Sequence, residues 1–246
     1  MKKRIIIIVL LVLLFLIVSF VYSFIENREK IVFLGDYTKV YLNKDGIKVK
    51  NDNYKVDNKK VKIFFENVYL DVYLSSVDMN VNQIYYLYDD KGNRYNMAPD
   101  LIATTRNLKL NIKTPVESII TNSELESLIE ELDIKKDSID MPKLKKYDFD
   151  FDGDKKNETI YYISYNLSES NFNNLFVVKS DDNYEVFDSF EVDRIIPASK
   201  QKSIFKYIDF DSDGTYELVL TTNNGEDVPS KFEVYSYSDG SFEIIE

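Results

Sequence analysis

Along most of this chain, hydrophobic and polar residues alternate with the period of a strand, not that of a helix. In residues 31–115 the runs "KVYLNKDGIKVK", "KVKIFFENVYLDVYL" and "IYYLYDDKGNRYNM" predict strands. Their turns fall at Lys44-Asp45-Gly46, Glu66-Asn67 and Asp90-Lys91-Gly92, and "LKLNIKT" continues the alternation. Helical period appears in "TNSELESLIEELDI", where Leu125, Leu128, Ile129 and Leu132 fall on one face. That predicts one helix over about 122–132 opened by a capping box of Ser123 and Glu126. Residues 137–142 read as a linker, and from residue 143 onward the strand pattern returns.

Residues 5–24, "IIIIVLLVLLFLIVSFVYSF", break the alternation: they are uncharged and long enough to cross a bilayer as a helix. "MKKR" precedes them, so the positive-inside rule leaves the N-terminus in the cytoplasm and the rest of the chain outside. The expectation is a single-pass cell-membrane protein with the bulk of the chain extracytoplasmic. A signal peptide cleaved near Val21-Tyr22-Ser23, giving a secreted protein, is the alternative. The expected divisions are a cytoplasmic stub and anchor at 1–24, a β-rich domain at 25–115, a helix and linker at 116–142, and a β repeat at 143–246.

Composition narrows the chemistry. The chain has no Cys and no His, which excludes disulfides, thiolate or imidazole catalysis, and sulfur or nitrogen metal sites. Any metal must be held by oxygen, which suits hard cations. Setting aside Lys2, Lys3 and Arg4 leaves 28 basic residues against 42 acidic, a net charge of −14 for the expected exported part. Such a surface repels nucleic acid, which is not expected as a partner.

Two acidic stretches, "DFDGDKKNE" and "DFDSDGTYE", begin at Asp150 and Asp209, 59 residues apart. A β-rich run follows each ("ETIYYISYNL" and "ELVLTTN"), and then a strand pair with an Asp-containing turn ("NLFVVKSDDNYEVF" and "KFEVYSYSDGSFEII"). This recurrence predicts a structural repeat. Carboxylates so closely set repel one another unless a cation joins them. The EF-hand pattern fails, because position 12 is Thr159 counted from Asp148 and Leu220 counted from Asp209, and the flanks are not helical. A shorter pattern fits both loops, with acids at positions 1, 3, 5 and 9 and a backbone carbonyl at 7. It nominates Asp150, Asp152, Asp154, Glu158 and the Lys156 carbonyl, then Asp209, Asp211, Asp213, Glu217 and the Thr215 carbonyl. About six oxygens in a flexible loop suit Ca2+ better than Mg2+.

At these residues the chain resembles FG-GAP and VCBS repeats, the calcium loops of integrin α-subunit propellers and of many bacterial surface proteins. The resemblance covers roughly residues 145–246. It implies structural calcium loops that stiffen the adjoining strands. Glu stands where the family's last acid is usually Asp, and Ser212 stands where the first loop has Gly153. Two units cannot close a propeller, so a sheet or sandwich of two blade-like units is expected within a mainly β fold.

Together these readings point to a membrane-anchored, extracytoplasmic, non-enzymatic calcium-binding β protein. It would serve as a binding, adhesion or structural module of the cell envelope, meeting an envelope protein or a polysaccharide. The alternative is a carboxylate-dependent envelope hydrolase, such as a glycoside hydrolase with two acids flanking the bond; an extracytoplasmic sensor or inhibitor is a third option. The Tyr-rich strands, including Tyr85-Tyr86 and Tyr161-Tyr162, are read as core and sheet surface.

Overall fold

The computed structural model describes residues 13–18, 30–35, 38–51, 59–65, 68–78, 83–88, 91–96, 102–105, 108, 110–169, 171–181, 183–193, 201–223 and 230–246. The fold is mainly β, in three antiparallel sheets. The N-terminal sheet holds β1 (Lys30–Leu34), β2 (Thr38–Asn43), β3 (Gly46–Asn51), β4 (Lys59–Phe65), β5 (Val68–Asp78), β6 (Gln83–Tyr88), β7 (Arg94–Asn96) and β8 (Ile102–Thr104). Their order is β3-β2-β1-β8-β4-β5-β6-β7. At the predicted Lys44-Asp45-Gly46 turn, Asn43 pairs with Gly46 and the Asn43 side chain accepts the Asp45 N–H at 2.8 Å. Gly46 supplies the positive φ of +111° that this tight connection needs.

Two five-stranded sheets follow. The first is built from β11 (Lys145–Phe149), β12 (Glu158–Asn166), β13 (Asn171–Ser180) and β14 (Asn183–Asp193) in consecutive order. The second is built in the same way from β15 (Gln201–Asp209), β16 (Glu217–Asn223), β17 (Lys231–Ser238) and β18 (Ser241–Ile244). In each, an acidic loop joins the first two strands and a tight turn joins the last two. A short upstream strand completes each edge: β10 (Glu117–Ser118) pairs with β11, and β9 (Asn111–Lys113) pairs with β15. Residues 111–113 therefore belong to the sheet of the second unit, although they precede the helix.

The side-chain period of a strand decides the layering. In β12 and β13, Ile160, Phe176 and Val178 face the second five-stranded sheet, meeting Leu218, Leu220 and Tyr235. The alternate residues Tyr161, Ile163, Leu175 and Val177 face the helix, whose Leu125 and Leu128 are buried against them. In the second sheet, Ile208, Val219, Phe232 and Val234 turn the other way and pack on Val32, Leu34, Val40 and Ile102 of the N-terminal sheet. Thr38 Oγ1 also accepts the Phe232 N–H at 3.1 Å, a buried bond between the halves. Sheets covered on both faces need apolar residues on both, which explains near-continuous runs such as "LFVV" and "ELVL".

The predicted helix is observed as Asn122–Glu131, but its cap lies two residues upstream of the expected Ser123–Glu126 pair. Thr121 is extended, its hydroxyl accepts the Glu124 N–H at 3.3 Å, and Glu124 Oε2 accepts the Thr121 N–H at 2.8 Å. "TNSE" is itself a capping box, so the helix starts at the earlier of two overlapping signals. The Lys146 ammonium, 2.7 Å from Glu124, holds this carboxyl down at about 2 and ties the helix start to β11. The stretch read as a linker is docked: Ile139 is buried and bridges to Tyr165, and the Asp140 N–H donates to the Ser164 carbonyl at 2.8 Å.

Of the expected membrane segment at 5–24, residues 13–18 are described and helical; the rest lies outside the described residues. Among the described residues no helix is long and apolar enough to cross a membrane.

Candidate metal centre

Both acidic loops are anchored through the residue at their second position. Phe151 and Phe210 are fully buried, so each loop is pinned into a core one residue after its first Asp. Phe151 enters the layer between the five-stranded sheets, with ring centroids 5.0 Å from Phe149 and Tyr207 and 4.9 Å from Phe242. Phe210 enters the core shared with the N-terminal sheet. Each anchor is then locked by the loop's last acid. Glu158 Oε2 accepts the Phe151 N–H at 2.9 Å, and Glu217 Oε2 accepts the Phe210 N–H at 3.2 Å. Both glutamates are buried.

The turns between these anchors repeat the same geometry. Asp152 Oδ1 accepts the Asp154 N–H and Asp211 Oδ1 accepts the Asp213 N–H, at 3.0 and 3.3 Å. Asp154 and Asp213 accept the N–H groups of Lys156 and Thr215, both at 2.7 Å. Loop positions 4 and 6 have positive φ in both copies, at Gly153 and Lys155 and at Ser212 and Gly214. Each loop thus assigns glycine to one of its two left-handed positions, and a different one.

The loops differ in how well their first Asp is satisfied. In the 150–158 loop, Asp150 accepts the Gly153 N–H at 2.8 Å with one oxygen and the Lys155 N–H at 3.0 Å with the other. In the 209–217 loop, Asp209 is only 3% exposed and its Oδ1 has no hydrogen-bond partner. Carboxylate oxygens of Asp150, Asp152 and Glu158 lie within 4.8 Å of one another, as do those of Asp209, Asp211 and Asp213. Three of the four predicted acids are therefore gathered in each loop. Asp154 stands apart, with the Lys156 ammonium 3.8 Å from its carboxylate, and Glu217 stands apart on the Phe210 N–H.

Burial pushes the Glu217 carboxyl up to about 8, against the pull of the Phe210 N–H, and the charges of Asp211 and Asp213 add to the rise. Burial raises Glu158 in the same way, with Asp152 and Asp150 adding to it. A carboxyl raised in the folded state holds its proton more tightly there. The stability that the Glu217 proton contributes is full below about 4.5 and is lost as pH rises through about 8. Should Glu217 join the ligands of a cation, as the nine-residue pattern expects, that cation would displace the proton at neutral pH. Calcium binding at about pH 7 is accordingly expected to release roughly one proton from this loop. The binding heat should then change with the ionisation enthalpy of the buffer, and affinity should strengthen as pH rises towards 9. Heats identical across buffers would contradict this.

A second buried polar cluster, which no sequence pattern announces, lies at the opposite end of the two five-stranded sheets. The Lys202 ammonium donates to Asp188 at 2.8 Å and to Glu233 at 2.6 Å, and Tyr235 Oη donates to Glu233 at 3.2 Å. Of these, Lys202 also lines a cleft of about 540 Å³, with Tyr162, Phe172, Phe190, Asn174 and Gln201 among others. Both carboxylates share one ammonium, so the arrangement is that of an internal ion bridge between sheets. Tyr161 is buried in the core, and Tyr162, half-buried, donates to Asn174 at 2.8 Å; Tyr85-Tyr86 lie where side chains are outside the described residues.

Comparison with known proteins finds no protein-family model, no curated protein and no solved structure that matches this chain.

Proposed function

We propose that this chain is a membrane-anchored, extracytoplasmic protein whose two C-terminal β units are stiffened by calcium in their acidic loops. It serves the cell envelope as a binding, adhesion or structural module. The observation that carries the reading is Asp209, a buried carboxylate with an orphaned oxygen, gathered with Asp211 and Asp213. A buried carboxyl oxygen without a partner is costly, and a cation relieves that cost together with the crowding of the three acids. The donors are oxygens alone, which favours a hard cation, and a set of about six oxygens that includes a backbone carbonyl favours calcium over magnesium.

The shared geometry of the two loops supports assigning the same role to Asp150, Asp152, Asp154, the Lys156 carbonyl and Glu158 in one. In the other it supports Asp209, Asp211, Asp213, the Thr215 carbonyl and Glu217. The order strand, acidic loop, strand, strand, tight turn, strand supports two blade-like units of the FG-GAP and VCBS kind. For the anchor, the support is the uncharged 5–24 segment and residues 13–18, whose apolar side chains are 50–71% exposed all round the helix. A helix apolar on every side requires an apolar surrounding. Partners of the exported part are an envelope protein or polysaccharide.

Protease added to intact spheroplasts tests topology and calcium together. The bulk of the chain should be digested from outside, more slowly in calcium than in chelator. A chain that stays whole in chelator would overturn the extracytoplasmic placement, and equal digestion rates would overturn the stiffening role.

A further inference from the structure

The two loops touch. The Tyr216 N–H, at position 8 of the second loop, donates to the Phe151 carbonyl, at position 2 of the first, at 2.8 Å. Beside this bond, a Cβ placed on Gly153 would lie 3.5 Å from the Gly214 carbonyl oxygen. The Tyr216 ring packs edge-on against Phe149, with centroids 5.0 Å apart, and Phe149 in turn packs on Phe151. Among the described residues this is a direct backbone bridge from one acidic loop to the other.

The bridge is built from peptide groups that also carry the cation donors. The Tyr216 N–H belongs to the same planar peptide unit as the Thr215 carbonyl, the oxygen nominated to face the cation in the second loop. In a trans unit the C=O and N–H point in opposite directions, so a cation drawn to the Thr215 oxygen orients and polarises the N–H towards Phe151. At the receiving end, the Phe151 carbonyl shares its peptide unit with the N–H of Asp152, and the Phe151 N–H is held by Glu158. Two acids of the first loop thus flank the residue that the second loop grips.

We propose that the loops form one coupled two-cation site, in which a divalent cation in the 209–217 loop raises the affinity of the 150–158 loop. This rests on the cation-binding reading given above. The order of filling follows from the unequal first acids. Asp209 has a buried oxygen without a partner, and both oxygens of Asp150 already accept backbone N–H groups. The second loop has more to gain from a cation and fills first; its occupancy then steadies Phe151 and with it the first loop.

Calorimetric titration of CaCl2 into the full-length chain in detergent, compared with Asp152→Ala and Asp211→Ala, tests this. Each substitution leaves one complete loop. Coupling predicts that the 150–158 loop left by Asp211→Ala binds about fivefold or more weakly than the second site of the unaltered chain, whereas the 209–217 loop left by Asp152→Ala, which fills first, keeps its first-step affinity. Tyr216→Pro removes the bridging N–H and should abolish the coupling, whereas Tyr216→Ala, which keeps that N–H, should preserve it. If Tyr216→Pro does not fold, the contrast between the two single-loop variants carries the test alone. Two sites whose affinities are unchanged when the other is removed would overturn the coupling and leave cation binding standing. Absence of any calcium heat in the unaltered chain would overturn both.

Discussion

Lys202→Met is expected to destabilise the folded chain by about 3–5 kcal/mol near neutral pH, the usual cost of stripping one partner from a buried ionic group. Lys202 is 7% exposed in its side chain, and Asp188 and Glu233 are 12% and 18% exposed. Burial alone lowers the affinity of the Lys202 amine for its proton, but hydrogen bonds to Asp188 and Glu233 outweigh it and leave the pKa raised. The three side chains join the two five-stranded sheets, since Asp188 comes from β14 and the other two from β15 and β17. Without the ammonium, two carboxylates are left facing each other inside the layer. Adding Glu233→Gln should recover part of the loss. Urea unfolding at neutral pH measures both effects; a loss below about 1 kcal/mol, or none recovered by Glu233→Gln, would show that the cluster is solvated.

Phe151→Ala should cost a similar amount, about 3–5 kcal/mol for a large buried aromatic, and Phe210→Ala likewise. The two variants should differ in what else they disturb. Phe151 lies between the five-stranded sheets, so its loss opens that layer and frees the first loop from Glu158 and Tyr216. Phe210 lies against Leu34, Val40 and Ile102 in the core shared with the N-terminal sheet. Its loss should loosen the N-terminal strands as well. Amide exchange resolves the difference: Phe210→Ala is expected to lower protection in β1 and β2, and Phe151→Ala to spare them relative to β12 and β13. Unchanged protection in β1 and β2 with Phe210→Ala would mean that the halves do not unfold together.

Much of this fold was legible because its information is local. Alternation marked the strands of both units, and the turn residues at Lys44-Asp45-Gly46 and around Asp239-Gly240 marked the hairpins. The acidic loops were legible in their register, since a nine-residue spacing is a property of the chain itself. β11 and β15 were harder, because "KKYDF" and "QKSIFKYID" carry lysines within short runs and owe their place to the strands beside them. The edge strands Asn111–Lys113 and Glu117–Ser118 are too short to announce themselves, and which sheet each joins is decided by packing. The helix cap is ambiguous in the chain because two overlapping capping signals lie two residues apart, and the earlier one, at Thr121, is the one used. The Lys202 cluster has no local signature, since its partners stand 14 and 31 residues away. Nor does composition distinguish Asp209 from Asp150; burial of one orphaned oxygen is a tertiary property.

Melting the full-length chain across a calcium titration tests cation binding at the loops most directly. Extracellular calcium modules have Kd values of about 10⁻⁴–10⁻³ M. At about 10 mM calcium, a site that binds only the folded state would then add about 1.4–2.7 kcal/mol. For a chain of this size that is roughly 3–10 °C per site. The unaltered chain should show the full shift, Asp152→Ala and Asp211→Ala should each lose a large part of it, and magnesium at the same concentration should do much less. A melting temperature unchanged by calcium throughout this range would contradict cation binding and leave the two loops as acidic turns.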